Sequence, residues 1–156
     1  MSKKIYDANM NIESYIRLIN FFKKKKYKFK FFSDNYEKKG VVYLRHDVDL
    51  LTEDALKLAE LENKIKVKAT YFFLVNTDTY NIYSDKNKLL IKKIINFGHD
   101  IGLHYDGSFN NIEKEAKLQI LILEKIINRT VHFISFHKPL KKILNLNKKV
   151  CNKKHT

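Results

Sequence analysis

Four apolar, β-branched runs alternate with amphipathic segments along this chain, and that alternation constrains its fold more than any other feature. The runs are VVYLRHD (Val41–Asp47), VKATYFFLV (Val67–Val75), HDIGLH (His99–His104) and VHFISFH (Val131–His137). Between and before them lie segments with helical spacing. Apolar Ile12, Tyr15, Ile16, Ile19 and Phe22 predict a helix from about residue 11 to 25. LTEDALKLAELENKIK predicts a second, with Thr52 as N-cap and Glu53 and Asp54 in its first turn. SDKNKLLIKKIINFG predicts a third, capped by Ser84 and closed by Gly98. NIEKEAKLQILILEKIIN predicts a long fourth, and KFKFFSD a further short strand. Strands separated by helices imply right-handed βαβ units and a parallel sheet or barrel. With 156 residues the chain is long enough for one domain with its own core.

Folds of this class bind ligands at the C-terminal ends of their strands. Those ends carry an unusual set of residues here. The first run finishes in RHDVD, the third in HDIGLHYD and the fourth in SFHKP, while the second leads into NTDTYNIYS, a loop that could shape a pocket. A parallel sheet brings such ends together although they are distant in sequence. Asp and His together suit a divalent transition metal: zinc first, with cobalt, manganese or iron as alternatives. A catalytic metal site keeps one position open for water. Asp47 and Asp49 lie two apart, so a regular strand points both to one face. One carboxylate can then bind metal while the other handles protons.

Composition narrows the function classes. The net charge of +14 raises nucleic-acid binding, but only three of the 31 basic residues are Arg (Arg17, Arg45, Arg129). Bidentate recognition of phosphate or bases favours Arg, so the lysine excess reads as solvated surface, and no specific nucleic-acid partner is expected. No apolar run approaches the ~20 residues that span a bilayer. The basic N-terminus lacks the apolar stretch of a secretory signal, and the single Cys151 has no internal disulfide partner. A cytoplasmic location is expected. The Asn128-Arg129-Thr130 sequon would need a secretory route that nothing else supports.

LRHDVD, KATYFFLV, GHDIGLHYD and SFHKP, in this order, resemble the polysaccharide deacetylase (NodB-like) superfamily, carbohydrate esterase family four, and within it the WbmS-like RHDVD branch. The likeness spans roughly residues 11 to 139. It implies an α/β fold: part of a distorted (β/α) barrel, with about four or five parallel strands alternating with helices. It also implies a divalent-metal hydrolase of non-peptide C–N amide bonds. The expected activity is N-deacetylation of an acetylated amino sugar in surface polysaccharide biosynthesis, so a carbohydrate or small amide is the expected partner.

Carried over by residue, Asp47 resembles the general base, Asp49 the metal-binding Asp, displaced one position by the intervening Val48, and His104 matches the first ligand His. The second ligand His is replaced by Ser108. His137, where the family's third motif falls, is the candidate for the missing ligand, with Asp106 as second choice. Arg45 and Asp106 are the candidate substrate-binding residues; Arg45 could also pair with Asp47. His99, at the opposite end of its strand from His104, is read as structural, and Thr70 and Tyr71 as packing residues. His132 and His155 are assigned no role.

The chain departs from the family after Pro139. Residues 140–156 form a Lys- and Asn-rich tail without strand patterning, expected to lie outside the native fold, and residues 1–139 correspond to the N-terminal portion of the barrel. The late family motifs are missing, which is read first as truncation, with completion by another chain or a small degenerate member as the alternatives. A last strand left unpaired would offer an edge for self-association. A non-catalytic remnant with an incomplete metal site is the alternative to an enzyme, and a basic-surface binding protein is the third reading.

Overall fold

The computed structural model describes residues 11–34, 37, 39–107, 111–139 and 149–155. Among these, four helices and seven short strands follow one another as α1 (Ile12–Lys24), β1 (Lys28–Lys30), β2 (Val41–Tyr43), β3 (Arg45–Val48), α2 (Thr52–Lys64), β4 (Thr70–Leu74), α3 (Asp85–Asn96), β5 (Asp100–Tyr105), α4 (Ile112–Ile127), β6 (Phe133–Phe136) and β7 (Lys154–His155). Strands β3 to β7 form one parallel sheet in sequence order, and β1 and β2 form a separate parallel pair. The described sheet is open, an α/β arrangement corresponding to part of a barrel. None of the described helices is long and apolar enough to cross a membrane.

Local sequence explains most element ends. Asn11 caps α1 by accepting from the Ser14 amide at 2.9 Å, and Ser84 caps α3 by accepting from the Asn87 amide at 3.2 Å. Gly98, with φ of +89°, takes the left-handed conformation that follows α3 and costs other residues strain. Asn128 does the same after α4, at φ of +54°. The expected cap of α2 is corrected: the N-cap is Leu51, and Thr52 is the first helical residue. The buried Thr52 hydroxyl instead donates to Asn87 Oδ1 of α3 at 2.6 Å, tying the two helices together. The run VVYLRHD is one strand by pattern but two in space. It breaks at Leu44, so that β2 pairs with β1 and β3 with β4.

The tail also departs from expectation. Val150 is buried, and Lys154–His155 pair in parallel with Phe133 and Ile134 of β6. A tight turn at Cys151 and Asn152, both at positive φ, folds the chain back, and the Cys151 amide donates to Glu113 of α4 at 2.8 Å. In residues 147–156 only Val150 and Cys151 are apolar among lysines and asparagines, which gives no period-two signal and is why composition did not show this strand. The edge of β6 expected to stay open is thereby covered over Phe133 and Ile134.

Register divides the sheet into two faces. Asp47, Phe72 and Gly102 stand side by side across β3, β4 and β5, and Leu74, His104 and Ser135 across β4, β5 and β6. By alternation, Arg45, Asp47, Phe72, Gly102, His104, Phe133 and Ser135 share the front face. The back face carries Val48, Tyr71, Phe73, Leu103, Tyr105, Ile134 and Phe136, which pack with Ala59 of α2, Ile91 and Ile94 of α3 and Leu123 of α4 into the main core. Each such fully buried large side chain contributes about 1.5–3 kcal/mol. The front face has an apolar floor as well. The Phe32 ring lies 5.9 Å from that of Phe72 and 5.8 Å from that of Phe133. Gly102 leaves the room this requires, since a Cβ there would lie 2.4 Å from Phe72 Cε1.

A second polar centre lies behind the sheet. Glu62 of α2 is fully buried, yet it accepts from Tyr71 Oη of β4 at 2.7 Å, pairs with His46 Nε2 of β3 at 2.7 Å and accepts from Tyr15 Oη of α1. Burial alone would raise its carboxyl, but His46 and the two tyrosine hydroxyls outweigh burial and hold it below its ordinary range. His99 closes this group. Its Nε2 meets the Ala59 carbonyl at 2.9 Å, which confirms its structural reading. Tyr71 is likewise buried in the packing role expected of it, as is Thr70.

Candidate metal centre

The site is built where β3, β5 and β6 end. Asp49 follows β3 directly, His104 is the penultimate residue of β5, and His137 follows β6. His104 Nε2 lies 3.2 Å from Asp49 Oδ1, His137 Nδ1 lies 3.5 Å from the same oxygen, and the two ring nitrogens are 3.2 Å apart. Among the described residues, these three form the group that could hold a metal ion. Ser108 lies outside the described residues. Asp106 is exposed just past β5 and stands outside the group; its backbone carbonyl accepts from Gln119 Nε2 at 3.4 Å. Of the two alternatives for the missing ligand, the structure brings His137 to the others.

The donor set fits a metal. Bonds of about 2.0–2.1 Å from zinc to nitrogen or oxygen put the edges of a ligand tetrahedron at about 3.3–3.4 Å. The three observed separations of 3.2, 3.2 and 3.5 Å match such a triangle. Asp49 Oδ1 is itself shielded from solvent and has no hydrogen-bond partner among the described residues, an orphaned acceptor facing two ring nitrogens. Burial pushes the His104 imidazole below its usual range against the pull of Asp47 and Asp49, which favours the neutral form that binds metal.

Asp47 has different company. Arg45 forks onto it, Nε donating to Oδ1 at 2.9 Å and an Nη to Oδ2 at 2.8 Å, while the guanidinium lies 5.6 Å from the centre of the Phe72 ring. The ion pair weighed for Arg45 is therefore present. Asp47 Oδ2 is 3.9 Å from His104 Nε2, which puts a second carboxylate beside these three side chains without joining them. Beside these groups runs a cleft of about 520 Å³, bordered by Asp47, Asp49, Leu50, Leu51 and Leu58.

Three supporting residues escaped the sequence reading. Tyr80 Oη donates to the Val48 carbonyl and accepts from the Leu74 amide, both at 2.8 Å, bridging the ends of β3 and β4. Thr79 Oγ1 donates to the Asp49 carbonyl at 2.6 Å. The loop NTDTYNIYS thus holds the backbone that presents Asp49. Ser135 is buried between His104 Nδ1 at 2.7 Å and Asp47 Oδ1 at 3.3 Å. Its position two residues before His137 puts it on the same face, but only the register of β6 against β5 sets it beside His104.

A parallel α/β sheet with an Asp/His cluster at its strand ends defines a class, and solved structures identify the fold as that of the CE4 polysaccharide deacetylases. The deacetylase PplD of Streptococcus pyogenes, solved with acetate, superposes with a TM-score of 0.66 at 17% identity, over 92% of this chain and 73% of its own. A mutant of a CE4 family pseudoenzyme of Bacillus anthracis, with restored enzymatic activity, gives 0.58 at 17% identity over 78% of this chain. A family 4 carbohydrate esterase from Bacillus anthracis gives 0.51 at 20% identity, over 76% of this chain and 56% of its own. The chain spans 46% of the length of that pseudoenzyme mutant. No protein-family model and no curated protein sequence matches the chain.

Proposed function

We propose that this chain carries the metal site of a CE4-type hydrolase, of the WbmS-like branch, that cleaves the amide of an N-acetylated amino sugar in surface polysaccharide synthesis. The observation that carries this reading is the triangle of Asp49 Oδ1, His104 Nε2 and His137 Nδ1, with Asp47 beside it. Asp49, His104 and His137 would hold a divalent ion, zinc first, with cobalt, manganese or iron as alternatives. A bound ion would acidify a water and polarise the amide carbonyl. Asp47 is the base that accepts the water proton, and Arg45 keeps its carboxylate in place. The water oxygen would bond to the carbonyl carbon as the C–N bond breaks, and the proton taken by Asp47 would pass to the leaving nitrogen, giving acetate and the amine. Arg45 and Asp106 are the proposed substrate contacts, and the cytoplasm the proposed location.

Metal analysis of the purified chain tests this reading. Wild type should take up one ion per chain, and Asp49→Ala and His137→Ala should lose it. Equal metal content in wild type and Asp49→Ala would remove Asp49 from the site. The pseudoenzyme neighbours support a second reading, a metal-binding domain without turnover. Stoichiometric metal without acetate release from N-acetylated glycans would favour it.

A further inference from the structure

Arg45, Asp47, Ser135, His104 and His137 form one chain of contacts, and its polarity can be worked out from one end. The Arg45 fork consists only of donors, and a carboxylate receiving it offers only acceptors. Asp47 Oδ1 lies 3.3 Å from Ser135 Oγ, so the serine hydroxyl must donate there. Ser135 has a single proton to give. Toward His104 Nδ1, at 2.7 Å, it can then only accept, so that Nδ1 carries the proton. His104 Nε2 is left with its lone pair, aimed at Asp49 Oδ1 and His137 Nδ1 at 3.2 Å each. The reverse polarity would set serine lone pairs against Asp47 Oδ1, whereas in this one His137 Nδ1–H can donate to the His104 Nε2 lone pair that faces Asp49 Oδ1. Ser135 is fully buried, so no solvent would relieve that conflict.

We propose that Ser135 is a positioning residue that locks His104 in its Nδ1–H tautomer, relaying the orientation of the Arg45–Asp47 pair to the metal-facing nitrogen. The proposal deepens the metal-site reading and rests on it only for the effect on metal affinity. The tautomer itself is a property of the metal-free chain. Partners that orient a ligand histidine in this way typically affect metal affinity by about 10–100-fold.

The test uses the full chain labelled with ¹⁵N-histidine, with His104 assigned by its absence in His104→Gln. Two-bond proton–nitrogen correlations of the metal-free protein should show His104 protonated at Nδ1. Ser135→Ala should shift it toward the Nε2–H form, and Ser135→Thr, which keeps the hydroxyl, should not. Zn²⁺ titration should show about 10–100-fold weaker binding in Ser135→Ala, restored in Ser135→Thr. An Nε2–H tautomer in wild type overturns the proposal even if Ser135→Ala fails to fold. An unchanged tautomer in folded Ser135→Ala overturns it as well, whatever the metal affinity. If the tautomers behave as stated but wild type binds no Zn²⁺, the role of Ser135 stands and the metal reading falls.

Discussion

Asp47 and Asp49 are two residues apart, point to the same side of the sheet and have different neighbours. Asp49 presents an unpaired oxygen to two imidazoles, whereas Asp47 is clasped by Arg45 and Ser135. That contrast separates their expected phenotypes. Asp47→Asn should keep the metal and lose hydrolysis by about 10²–10⁴-fold, the usual contribution of a positioned base. Metal content and acetate release measured on one preparation check this, and loss of metal in Asp47→Asn would show that the two carboxylates share one task. The clustering of Asp49, His104 and His137 was legible because the pattern put Asp and His at the ends of strands that a parallel sheet brings together. Ser135 was not, because a serine in a strand says nothing until the register fixes what lies beside it.

At the level of elements, the loop between β4 and α3 is a clamp rather than a connector. The Tyr80 hydroxyl occupies the place of a missing rung between β3 and β4, and burial raises its pKa, keeping it protonated as a donor. Tyr80→Phe removes this bridge and leaves the Val48 carbonyl and Leu74 amide without it. An unpaired buried backbone group costs about 1–3 kcal/mol. The midpoint of urea unfolding should fall accordingly, and metal binding should weaken because Asp49 loses its backing. A variant with wild-type stability and affinity would show that the clamp is dispensable. The four main strands and four helices followed from apolar periodicity. The break at Leu44 and the short β7 did not, since each depends on pairing with a distant segment rather than on local pattern. The α2 cap shifted because Thr52 has a better partner in Asn87, on a helix far along the sequence.

Across the whole molecule, Glu62 joins α1, α2, β3 and β4 through Tyr15, His46 and Tyr71. Its carboxyl is held below the ordinary value of 4.5 in the folded chain. A group depressed on folding adds stability that is fully present above its unfolded value and is lost as pH falls through the folded one. Wild type should therefore lose stability progressively below about pH 4.5, and Glu62→Gln should flatten that part of the curve in acid unfolding followed by circular dichroism. Glu62→Ala, which leaves the buried Tyr71 hydroxyl without its acceptor, should cost about 1–3 kcal/mol. An identical acid profile in wild type and Glu62→Gln would place the acid-sensitive group elsewhere.

The two polar centres sit on opposite sides of one strand, His46 reaching back to Glu62 and Asp47 reaching forward to Ser135. Tolerance to substitution along β3 should therefore alternate with a beat of two. A saturation scan scored separately for cellular abundance and for bound metal would find adjacent codons sensitive in different channels. Codon 46 should register in abundance alone, and codon 49 in metal alone. Drift could then erase chemistry at the front of this strand while leaving the fold behind it intact.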